Sequence, residues 1–277
     1  MKARPREKPI DRQQQIADFV VANGSVSARD LAEQFGVSLM TVHRDLDELE
    51  SRGVVRKHRG GVTAQPSSIF ESHLAYRLGR CGEEKREIAV EARKLVEPGM
   101  AVMLDDSTSA LALAHLLHDA LPLTIITNFL EIISLVTAWA DARLIVLGGE
   151  YHAAHQSFLG VPCVEAIGGL RADLLFTSSS TVDERFVYHQ EQDIVFVKRA
   201  MLTAAAKRVL LVDHTKLGRP ALHRLAPLGD FDEVITDRGA SPEEVRRMRD
   251  RGVSVTVAAS MGTKRGRPGG VSSSEGQ

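Results

Sequence analysis

Seven short apolar segments alternate with stretches of helical periodicity between Glu83 and Val257, and this rhythm limits the possible folds more than any other feature. The apolar segments, rich in Val, Ile and Leu, read AVML, LTIIT, RLIVLGG, DLLFTS, RVLLVD, DEVITD and VSVTV. The helical stretches between them read EEKREIAVEARKLV, ALALAHLLHDA, EIISLVTAWA, DIVFVKRAMLTAA and PEEVRRMRDR. Such alternation is typical of βαβ units, in which parallel strands lie side by side. It predicts an α/β domain over residues 83–257 with a mostly parallel sheet.

The rest of the chain divides by composition into three further segments. Residues 9–64 combine short helical patterns with a basic strip that contains glycine, and they predict a small domain of their own. Residues 65–82 carry turn-forming residues without a clean period and predict a linker. Residues 258–277 consist largely of Gly, Ser and charged residues and predict a disordered tail.

Whole-chain properties exclude several classes of protein. No apolar run approaches the roughly 18 residues that a membrane span needs, and the basic N-terminus lacks the apolar stretch of a signal peptide. Cys81 and Cys163 lie far apart, which argues against a disulfide framework or a zinc cluster. We therefore expect a cytoplasmic protein without metal, cofactor or membrane contact. The net charge of −1 says nothing about nucleic acid, but basic residues cluster in Lys2–Lys8 and Arg52–Arg59.

Residues 9–64 predict a helix-turn-helix. A first helix covers about Arg12 to Ala22. Ser27 is a suitable N-cap for a second helix, and Asp30 three residues later is an acidic variant of the capping box. Gly36-Val37 forms a tight turn, and Ser38 is the N-cap of a third helix.

The third helix has the two faces that a DNA-reading helix requires, since its first turns must face base edges while its apolar side packs inside. The spacing predicts one buried stripe made of Leu39, Val42, Leu46 and Leu49. The opposite face, near the start of the helix, presents Met40, Thr41, His43 and Arg44.

The segment after Gly53, VVRKHRGGVTA, has two short β-prone runs around a Gly-Gly turn and predicts a wing. Its basic residues would lie near backbone phosphates; they are Arg56, Lys57, His58 and Arg59. The alternative is an ordinary three-helix interaction module with a solvated basic hairpin.

In the α/β domain, polar or small residues follow five of the predicted strands. Ligands of open parallel sheets bind at the carboxyl ends of strands, so these positions predict a binding site. They are Asp105, Ser107, Thr108, Ser109, Asn128, Gly148, Gly149, Ser178 to Thr181, Asp183, Asp213 and Lys216. The three hydroxyl residues at 107–109 open a helix and suit a phosphate group, although a simple N-cap is the alternative.

The N-terminal segment VSARDLAEQFGVSLMTVHRDLDELESRGVVRKHRGG closely resembles the DeoR-type helix-turn-helix. The matching residues are Ser38, Thr41, Val42, Arg44, Asp45, Leu46, Leu49, Gly53 and Gly60-Gly61. One departure is His43, where these proteins more often carry a second arginine. Because histidine side chains are mostly neutral at pH 7, we expect a weaker phosphate contact at His43. The resemblance implies DNA binding through a winged helix-turn-helix.

The α/β domain also resembles the DeoR family, whose C-terminal domain has the fold of ribose-5-phosphate isomerase and recognises phosphorylated sugars or their relatives. The matching segments are Asp105 to Ser109, Thr127-Asn128, Gly148-Gly149, Glu191, Val197 to Met201 and Asp213 to Lys216. Ser107 replaces a glycine of the family's first loop, which adds a hydroxyl and removes backbone freedom. The resemblance implies that Glu191 joins the effector-binding residues.

Together these features predict a sequence-specific repressor of carbohydrate-metabolism genes. Its partners would be a double-stranded DNA operator and a phosphorylated sugar effector. A dimer or tetramer is expected, because paired helix-turn-helix units read half-sites about one DNA turn apart. The alternative is a sugar-phosphate isomerase-like enzyme with a DNA-binding appendage, for which carboxylates are available but no spacing identifies a base. A purely structural DNA-bridging protein would leave the polar strand ends unexplained.

Three further features of the sequence, two histidine pairs and a basic segment near the C-terminus, are less informative. His152 and His155 could be half of a metal site, but no acidic or cysteine partner has a sensible spacing, so we expect an ordinary loop pair. His115 and His118 belong to a helix and are expected on its surface. The segment Lys264–Pro268 resembles the core of a minor-groove-binding AT-hook, with an ordinary basic tail as the alternative.

Overall fold

The computed structural model describes residues 9–51, 54–64 and 74–259. Its first elements are α1 (Pro9–Asn23), β1 (Ser25–Val26), α2 (Ala28–Phe35), α3 (Leu39–Ser51), β2 (Val55–His58) and β3 (Gly61–Ala64). The predicted caps are confirmed, since the hydroxyl oxygens of Ser27 and Ser38 accept the backbone N–H groups of Asp30 and Thr41 at 3.1 and 3.2 Å. Gly36 ends α2 in the left-handed conformation with φ 62°. The three helices are therefore those of the predicted helix-turn-helix.

The predicted wing is an antiparallel hairpin of β2 and β3, and β1 adds a third strand beside β3 that the sequence did not predict. Its turn requires glycine at two positions for different reasons. Gly60 has φ +107°, which L side chains rarely adopt. At Gly61 an added Cβ would lie 2.6 Å from the carbonyl oxygen of Val26, so glycine allows β1 and β3 to approach.

The predicted buried stripe of α3 is wrong at one position. Leu39 is 45% exposed, because it begins the helix and no neighbouring element covers that turn. Asp45 takes a place in the stripe instead, beside Val42 and Leu46. Its carboxylate accepts hydrogen bonds from Arg12 Nε at 2.7 Å and Nη2 at 3.1 Å, which tie α3 to α1.

The larger region is built on one seven-stranded sheet in the order β15-β14-β12-β9-β4-β5-β6, in which all neighbouring strands are parallel. The strands are β4 (Ala101–Leu104), β5 (Leu123–Thr127), β6 (Ala142–Val146), β9 (Ala172–Thr177), β12 (Ala205–Leu211), β14 (Glu233–Thr236) and β15 (Val255–Val257). Each of the seven predicted apolar segments forms one of these strands, so the predicted α/β class and parallel sheet are confirmed.

Within the described residues, seven helices accompany the sheet: α4 (Leu74–Gly79), α5 (Gly82–Arg93), α6 (Thr108–Ala114), α7 (Leu130–Val136), α8 (Val161–Gly168), α9 (Gln192–Ala204) and α10 (Pro242–Asp250). Short 3₁₀ turns lie at Leu117–Ala120, His214–Lys216 and Leu228–Asp230. The sequence did not predict α8, which follows Gly160 and has a proline in its first turn.

Two small antiparallel sheets also lay outside the prediction. One is a hairpin of β7 (Glu150–His152) and β8 (Ser157–Leu159). The other contains β10 (Thr181–Val182), β11 (Phe186–His189) and β13 (His223–Pro227) in the order β10-β11-β13. These strands are short, so their alternation is too brief to be recognised in the sequence.

Apolar side chains cover both faces of the parallel sheet. In β4, Met103 packs into one hydrophobic cluster, whereas Val102 and Leu104 pack into the other. Successive residues of a strand point to opposite faces, and a parallel sheet is buried on both. The near-continuous apolar segments of the sequence have this physical cause.

The predicted linker, residues 65–82, differs from the structure in its second half. Residues 74–79 form α4, because Leu74 is 2% exposed in the core and its N–H donates to the carbonyl oxygen of Ala154 at 3.0 Å. The remainder of that linker, the predicted tail from residue 260 onwards and the Lys264–Pro268 segment lie outside the described residues. None of the described helices is long and apolar enough to cross a membrane.

Candidate functional site

The carboxyl ends of three central strands meet at one edge of the sheet. From β4 the chain proceeds outward through β5 to β6 and then returns to β9, on the other side of β4. Such a reversal of strand order opens a crevice between neighbouring strand ends, where ligands of open sheets bind. Of the five loops that the sequence predicted, those after β4, β9 and β12 border this crevice.

A cavity of about 370 Å³ lies there. Seven residues at the predicted strand ends line it: Ser107, Thr108, Ser178, Ser179, Ser180, Asp213 and Lys216. The other lining residues are Arg77, Arg80, Cys81, Lys85, His189, Lys198, Thr215 and Arg219. The lining thus combines six cationic side chains, one carboxylate and several hydroxyls, which is the composition that an anionic, hydroxylated ligand requires.

Asp105, which the sequence predicted as a ligand contact, is completely buried beneath the cavity. Its carboxylate accepts the N–H groups of Ser107 at 3.0 Å and Ser178 at 2.9 Å. It also accepts the hydroxyl of Thr177 at 2.5 Å and forms an ion pair with Lys198. Asp105 therefore holds the loops after β4 and β9 together.

A second buried carboxylate extends this ion pair. Asp106 lies 3.1 Å from Lys198 Nζ. Burial by itself would raise the pKa of Asp106, but the charges of Lys198 and Arg77 outweigh it and keep that pKa below its ordinary value. Burial likewise lowers the pKa of Lys198, but the two aspartates raise it above its usual value overall. Asp106 and Lys198 are therefore both charged at neutral pH.

Arg77 brings two unused hydrogen-bond donors to the cavity. Its Nη1 donates to the carbonyl oxygen of Asp106 at 3.1 Å. Its Nε and Nη2 are buried and have no hydrogen-bond partner among the described residues. Unpaired buried donors are rare and costly, and a guanidinium fork fits a phosphate or carboxylate with two parallel hydrogen bonds.

The other cations of the cavity crowd one another. Lys85 Nζ donates to the carbonyl oxygens of Arg80, at 2.6 Å, and Arg77. Burial, followed by the nearby charge of Lys216, lowers the pKa of Lys85 to about 8. Burial would raise the pKa of Asp213, but the charge of Lys216 leads the opposing effects and the pKa lies below its ordinary value. An anion in the cavity would relieve this excess of positive charge.

His189 adds a neutral polar group to the lining. Burial, and secondly the charge of Lys198, lowers its pKa to about 3, so the ring is uncharged at neutral pH. Nδ1 accepts the N–H of Glu191 at 3.1 Å. The single proton of the neutral ring must therefore be on Nε2, where it is available as a donor.

The hydroxyls predicted to hold a phosphate have separate roles. Ser107 is the N-cap of α6, since its oxygen accepts the N–H of Ala110 at 3.1 Å, so the simple-cap alternative applies to it at least in part. Thr108 lines the cavity. Ser109 is buried outside the lining, and its hydroxyl has no partner among the described residues.

Asn128, Gly148, Gly149, Asp183 and Glu191, which were also predicted to bind the effector, have other contacts and do not line the cavity. Asn128 donates to the carbonyl oxygen of Phe158 at 3.0 Å. At Gly149, next to Gly148, an added Cβ would lie 2.3 Å from the carbonyl oxygen of Leu159. Asp183 accepts the hydroxyl of Tyr188 at 2.6 Å and stabilises a turn. Their effector-binding role remains a prediction.

Glu191 contacts the histidine pair instead. Its Oε2 lies 2.9 Å from Nε2 of His155, and His152 stacks on His155 with ring centroids 5.5 Å apart. The expectation that this pair lacks an acidic partner was wrong, because Glu191 comes from a loop 36 residues farther along the chain than His155.

Sequence reasoning missed several cations of the cavity. Arg77 and Arg80 lie in the segment predicted as a linker, and Lys85 lies in α5. All three residues precede the first strand of the sheet, so a search for polar residues at strand ends does not find them. Their signal was three basic residues within nine positions, where the predicted linker meets the first helical stretch.

The predicted DNA-reading face is exposed at the start of α3. Met40 is 80% exposed, which is unusual for a large apolar side chain, and His43 and Arg44 are also exposed. The hydroxyls of Ser38 and Thr41 lie 2.9 Å apart and stabilise the first turn. This face has the exposure that contact with a DNA groove needs.

The wing presents Arg56 and Arg59 to solvent. Lys57 differs, because its ammonium is paired with Asp47 of α3 and lies 3.8 Å from Glu50. The hydrogen bond to Asp47 is the first cause that raises the pKa of Lys57. His58 Nε2 lies 3.1 Å from the hydroxyl of Ser25 in β1. The structure thus leaves Arg56 and Arg59 as the more accessible cations of the wing.

A winged helix-turn-helix joined to a parallel α/β unit with an anion-suited cavity defines a class of DNA-binding protein with a sensor domain. Comparison with known proteins agrees with this class. The family described as "DeoR-like helix-turn-helix domain" matches residues 12–68, and the one described as "DeoR C terminal sensor domain" matches residues 80–238. The chain belongs to the DeoR family of transcriptional regulators.

Several curated proteins are similar along most of their length. The HTH-type transcriptional regulator YgbI of Escherichia coli is 33% identical over 90% of this chain and 98% of its own. The glycerol-3-phosphate regulon repressor of the same organism is 32% identical over 83% and 91%. The lactose phosphotransferase system repressor of Staphylococcus epidermidis is 32% identical over 82% and 91%.

Among solved structures, ribose 5-phosphate isomerase A from Methanocaldococcus jannaschii aligns with a TM-score of 0.37 and 21% identity, over 48% of this chain and 53% of that one.

Proposed function

We propose that this protein represses carbohydrate-metabolism genes and that a phosphorylated sugar in the cavity weakens its hold on operator DNA. The named relatives are repressors of a glycerol-3-phosphate regulon and of a lactose phosphotransferase system. The observation that carries the proposal is Arg77, whose two unpaired buried guanidinium nitrogens belong to a cavity with six cationic side chains.

The cavity residues have distinct roles in this proposal. Arg77 and Lys216 bind the phosphate, and Thr108 with Ser107 supplies hydroxyls at the same end. The Ser178–Ser180 loop and the Nε2–H of His189 meet the sugar hydroxyls. Such a division of charged and neutral contacts explains why a phosphorylated sugar fits better than a free sugar or an inorganic ion.

On the DNA side, α3 enters the major groove. Met40, Thr41, His43 and Arg44 face the bases, and Ser38 fixes the first turn. Arg56 and Arg59 contact phosphates from the wing, with Lys57 in a lesser role because of its pairing with Asp47. Two copies of the chain, as a dimer or within a tetramer, present two such helices to the half-sites of an operator.

We propose no catalytic turnover. Among the predicted carboxylates, Asp105 is bonded to four groups beneath the cavity. Asp213 lines the cavity, where Thr215 bonds to its Oδ1 and Lys216 Nζ lies 3.7 Å from its Oδ2. Burial would raise the pKa of Asp213, but the charge of Lys216 leads the effects that hold this pKa below its ordinary value, so Asp213 is a weak base.

One experiment tests the proposal and its enzymatic alternative together. Fluorescence anisotropy would measure binding to DNA from upstream of the protein's own coding region, with and without a panel of aldose and ketose phosphates. At least one sugar phosphate should lower DNA affinity by about 5- to 150-fold, the usual range of allosteric coupling. The matching unphosphorylated sugars serve as controls. Sustained conversion of a sugar phosphate, followed by NMR, would contradict the proposal.

A further inference from the structure

Outside the cavity, two histidines of the β7–β8 hairpin lie beside Glu191, and all three residues are of types that bind metal ions. One nitrogen of His152, one nitrogen of His155 and one carboxylate oxygen of Glu191 all lie within 4.8 Å of one another. His155 is 1% exposed, Glu191 is half-buried and His152 is exposed. Within the described part of the chain, no other His, Cys, Asp and Glu side chains form such a group of three.

The hydrogen bonding of His155 is incomplete. A carboxylate only accepts hydrogen bonds, so His155 Nε2 must carry the proton that it shares with Glu191. The lone pair of Nδ1 then needs a partner, but this buried atom has none among the described residues. Buried polar atoms without partners are rare in folded proteins, and each one indicates a strained group or a missing ligand.

We propose that His152, His155 and Glu191 bind a divalent transition-metal ion, with zinc preferred. Two imidazoles and one carboxylate form a ligand set that zinc uses, and this set leaves further coordination positions for water. Magnesium and calcium are disfavoured because they select oxygen ligands. An ion at Nδ1 would satisfy the unpaired lone pair, and Glu191 would then orient His155 through Nε2 as an indirect partner. An ion at Nε2 would replace the shared proton and take Glu191 as a direct ligand.

A second carboxylate lies near the three residues, although it is also paired with Lys198. This carboxylate, that of Asp106, is buried and accepts the hydroxyl of Ser157, and Ser157 is the direct cross-strand partner of His152. Burial raises the pKa of Asp106, and His155 is among the groups that lower it, after Lys198 and Arg77. A metal ion bound by the two histidines would therefore lie close to two carboxylates, those of Glu191 and Asp106.

The site is connected to the start of the sensor region. The carbonyl oxygen of Ala154, between the two histidines, accepts the N–H of Leu74 at 3.0 Å. Leu74 begins α4, the helix that carries Arg77 into the cavity. A bound ion would fix the 152–155 turn and with it the start of α4.

Cobalt spectroscopy provides the test, because Co²⁺ bound by nitrogen ligands absorbs in the visible region. Protein without a histidine tag, stripped of metal with a chelator, would be titrated with Co²⁺ and then with Zn²⁺. We expect one Co²⁺ per chain and its displacement by one equivalent of Zn²⁺. His152→Ala and Glu191→Gln should each weaken binding by more than about tenfold, since even indirect partners of a metal ligand contribute 10- to 100-fold.

The matched control is the double variant His115→Ala/His118→Ala, which removes an exposed pair of histidines with the same spacing. It should bind cobalt like the unchanged protein. Circular dichroism of each variant separates loss of the site from loss of the fold. His155→Ala is tested in the same way, and His155→Gln replaces it if His155→Ala does not fold. Unchanged cobalt affinity in folded His152→Ala and Glu191→Gln would overturn the proposal, as would an equal loss in the control.

Discussion

The two described regions of the chain use charge in opposite ways. In residues 9–64, most basic residues of the DNA-reading face and the wing are exposed, and the Arg12–Asp45 pair is buried between helices. In residues 74–259, the central charges are buried and bonded to one another, as Asp105, Asp106 and Lys198 are. Exposed charge gives long-range attraction that salt screens, whereas buried charge fixes a geometry.

This difference predicts where single substitutions cost stability. Lys198→Met would leave two carboxylates buried without their cation, and we expect a loss of about 3–5 kcal/mol in the free energy of unfolding. Urea denaturation followed by circular dichroism measures it. Lys207→Met is the matched control, because Lys207 is 39% exposed in its pair with Glu233 and should lose no more than ~1 kcal/mol. Equal midpoints for the two variants would contradict the comparison.

The second prediction, with a smaller effect, concerns the proposed binding of sugar phosphate by the buried guanidinium of Arg77. Arg77→Gln removes two unpaired buried donors, so sugar-phosphate affinity should fall by about 10- to 150-fold, the value of one or two charged hydrogen bonds. Isothermal titration calorimetry measures it. DNA affinity without effector should be unchanged, and Arg86→Gln, on an exposed position of α5, is the control. Full effector affinity in Arg77→Gln would show that the phosphate binds elsewhere.

His189 makes the buried region sensitive to acid. Its pKa is about 3 in the folded chain and about 6.5 when unfolded, so the unfolded chain binds more protons between these values. The contribution of neutral His189 to the free energy of unfolding is therefore complete above pH 6.5 and is lost as the pH falls towards 3. Between pH 7 and pH 5 the protein should lose ~2 kcal/mol of unfolding free energy through this group alone.

The corresponding measurement is urea unfolding at pH 7 and at pH 5. His189→Gln should remove most of that loss, while His115→Gln, at an exposed position solvated in both states, should not. Identical pH dependence in all three proteins would mean that His189 is not buried as described.

Much of this fold could be predicted from the sequence because a parallel sheet buried on both faces needs continuous apolar strands. The same pattern could not predict the β7–β8 hairpin, whose strands of three residues are too short to show an alternation, or α8, which has a proline in its first turn. Part of the cavity lining was predicted. Ser107, Thr108 and Lys216 follow strands, whereas Arg77 and Lys85 come from helices before the first strand and reach the cavity only through tertiary packing.

The strand-end rule also selected residues that have packing roles. Gly149 avoids a clash with Leu159, and Asn128 holds the backbone of Phe158. The rule identifies the edge of the sheet where ligands bind, but the direction of each side chain depends on neighbouring loops. The contact between His155 and Glu191 joins residues 36 positions apart, and the sequence could not predict it because it depends on how the two loops pack.

The smallest predicted effect concerns the exposed charge of the wing. Arg56→Ala should weaken DNA binding by a similar factor for all sequences, because a phosphate contact carries no base information. The slope of log affinity against log salt concentration should become shallower by about 0.9, the value of one phosphate contact. Arg44→Ala should instead reduce the preference for the operator over unrelated DNA, since Arg44 is exposed on the face of α3 that we propose to contact the bases.

Arg246→Ala, which removes an exposed arginine from α10 in the sensor region, is the control for both variants. Anisotropy titrations at several salt concentrations, on operator and on unrelated DNA, separate the two kinds of contact. A salt slope that stays the same in Arg56→Ala would exclude Arg56 from the phosphate contacts. Lys57→Ala should change the slope less than Arg56→Ala, because Asp47 already neutralises Lys57 in the free protein.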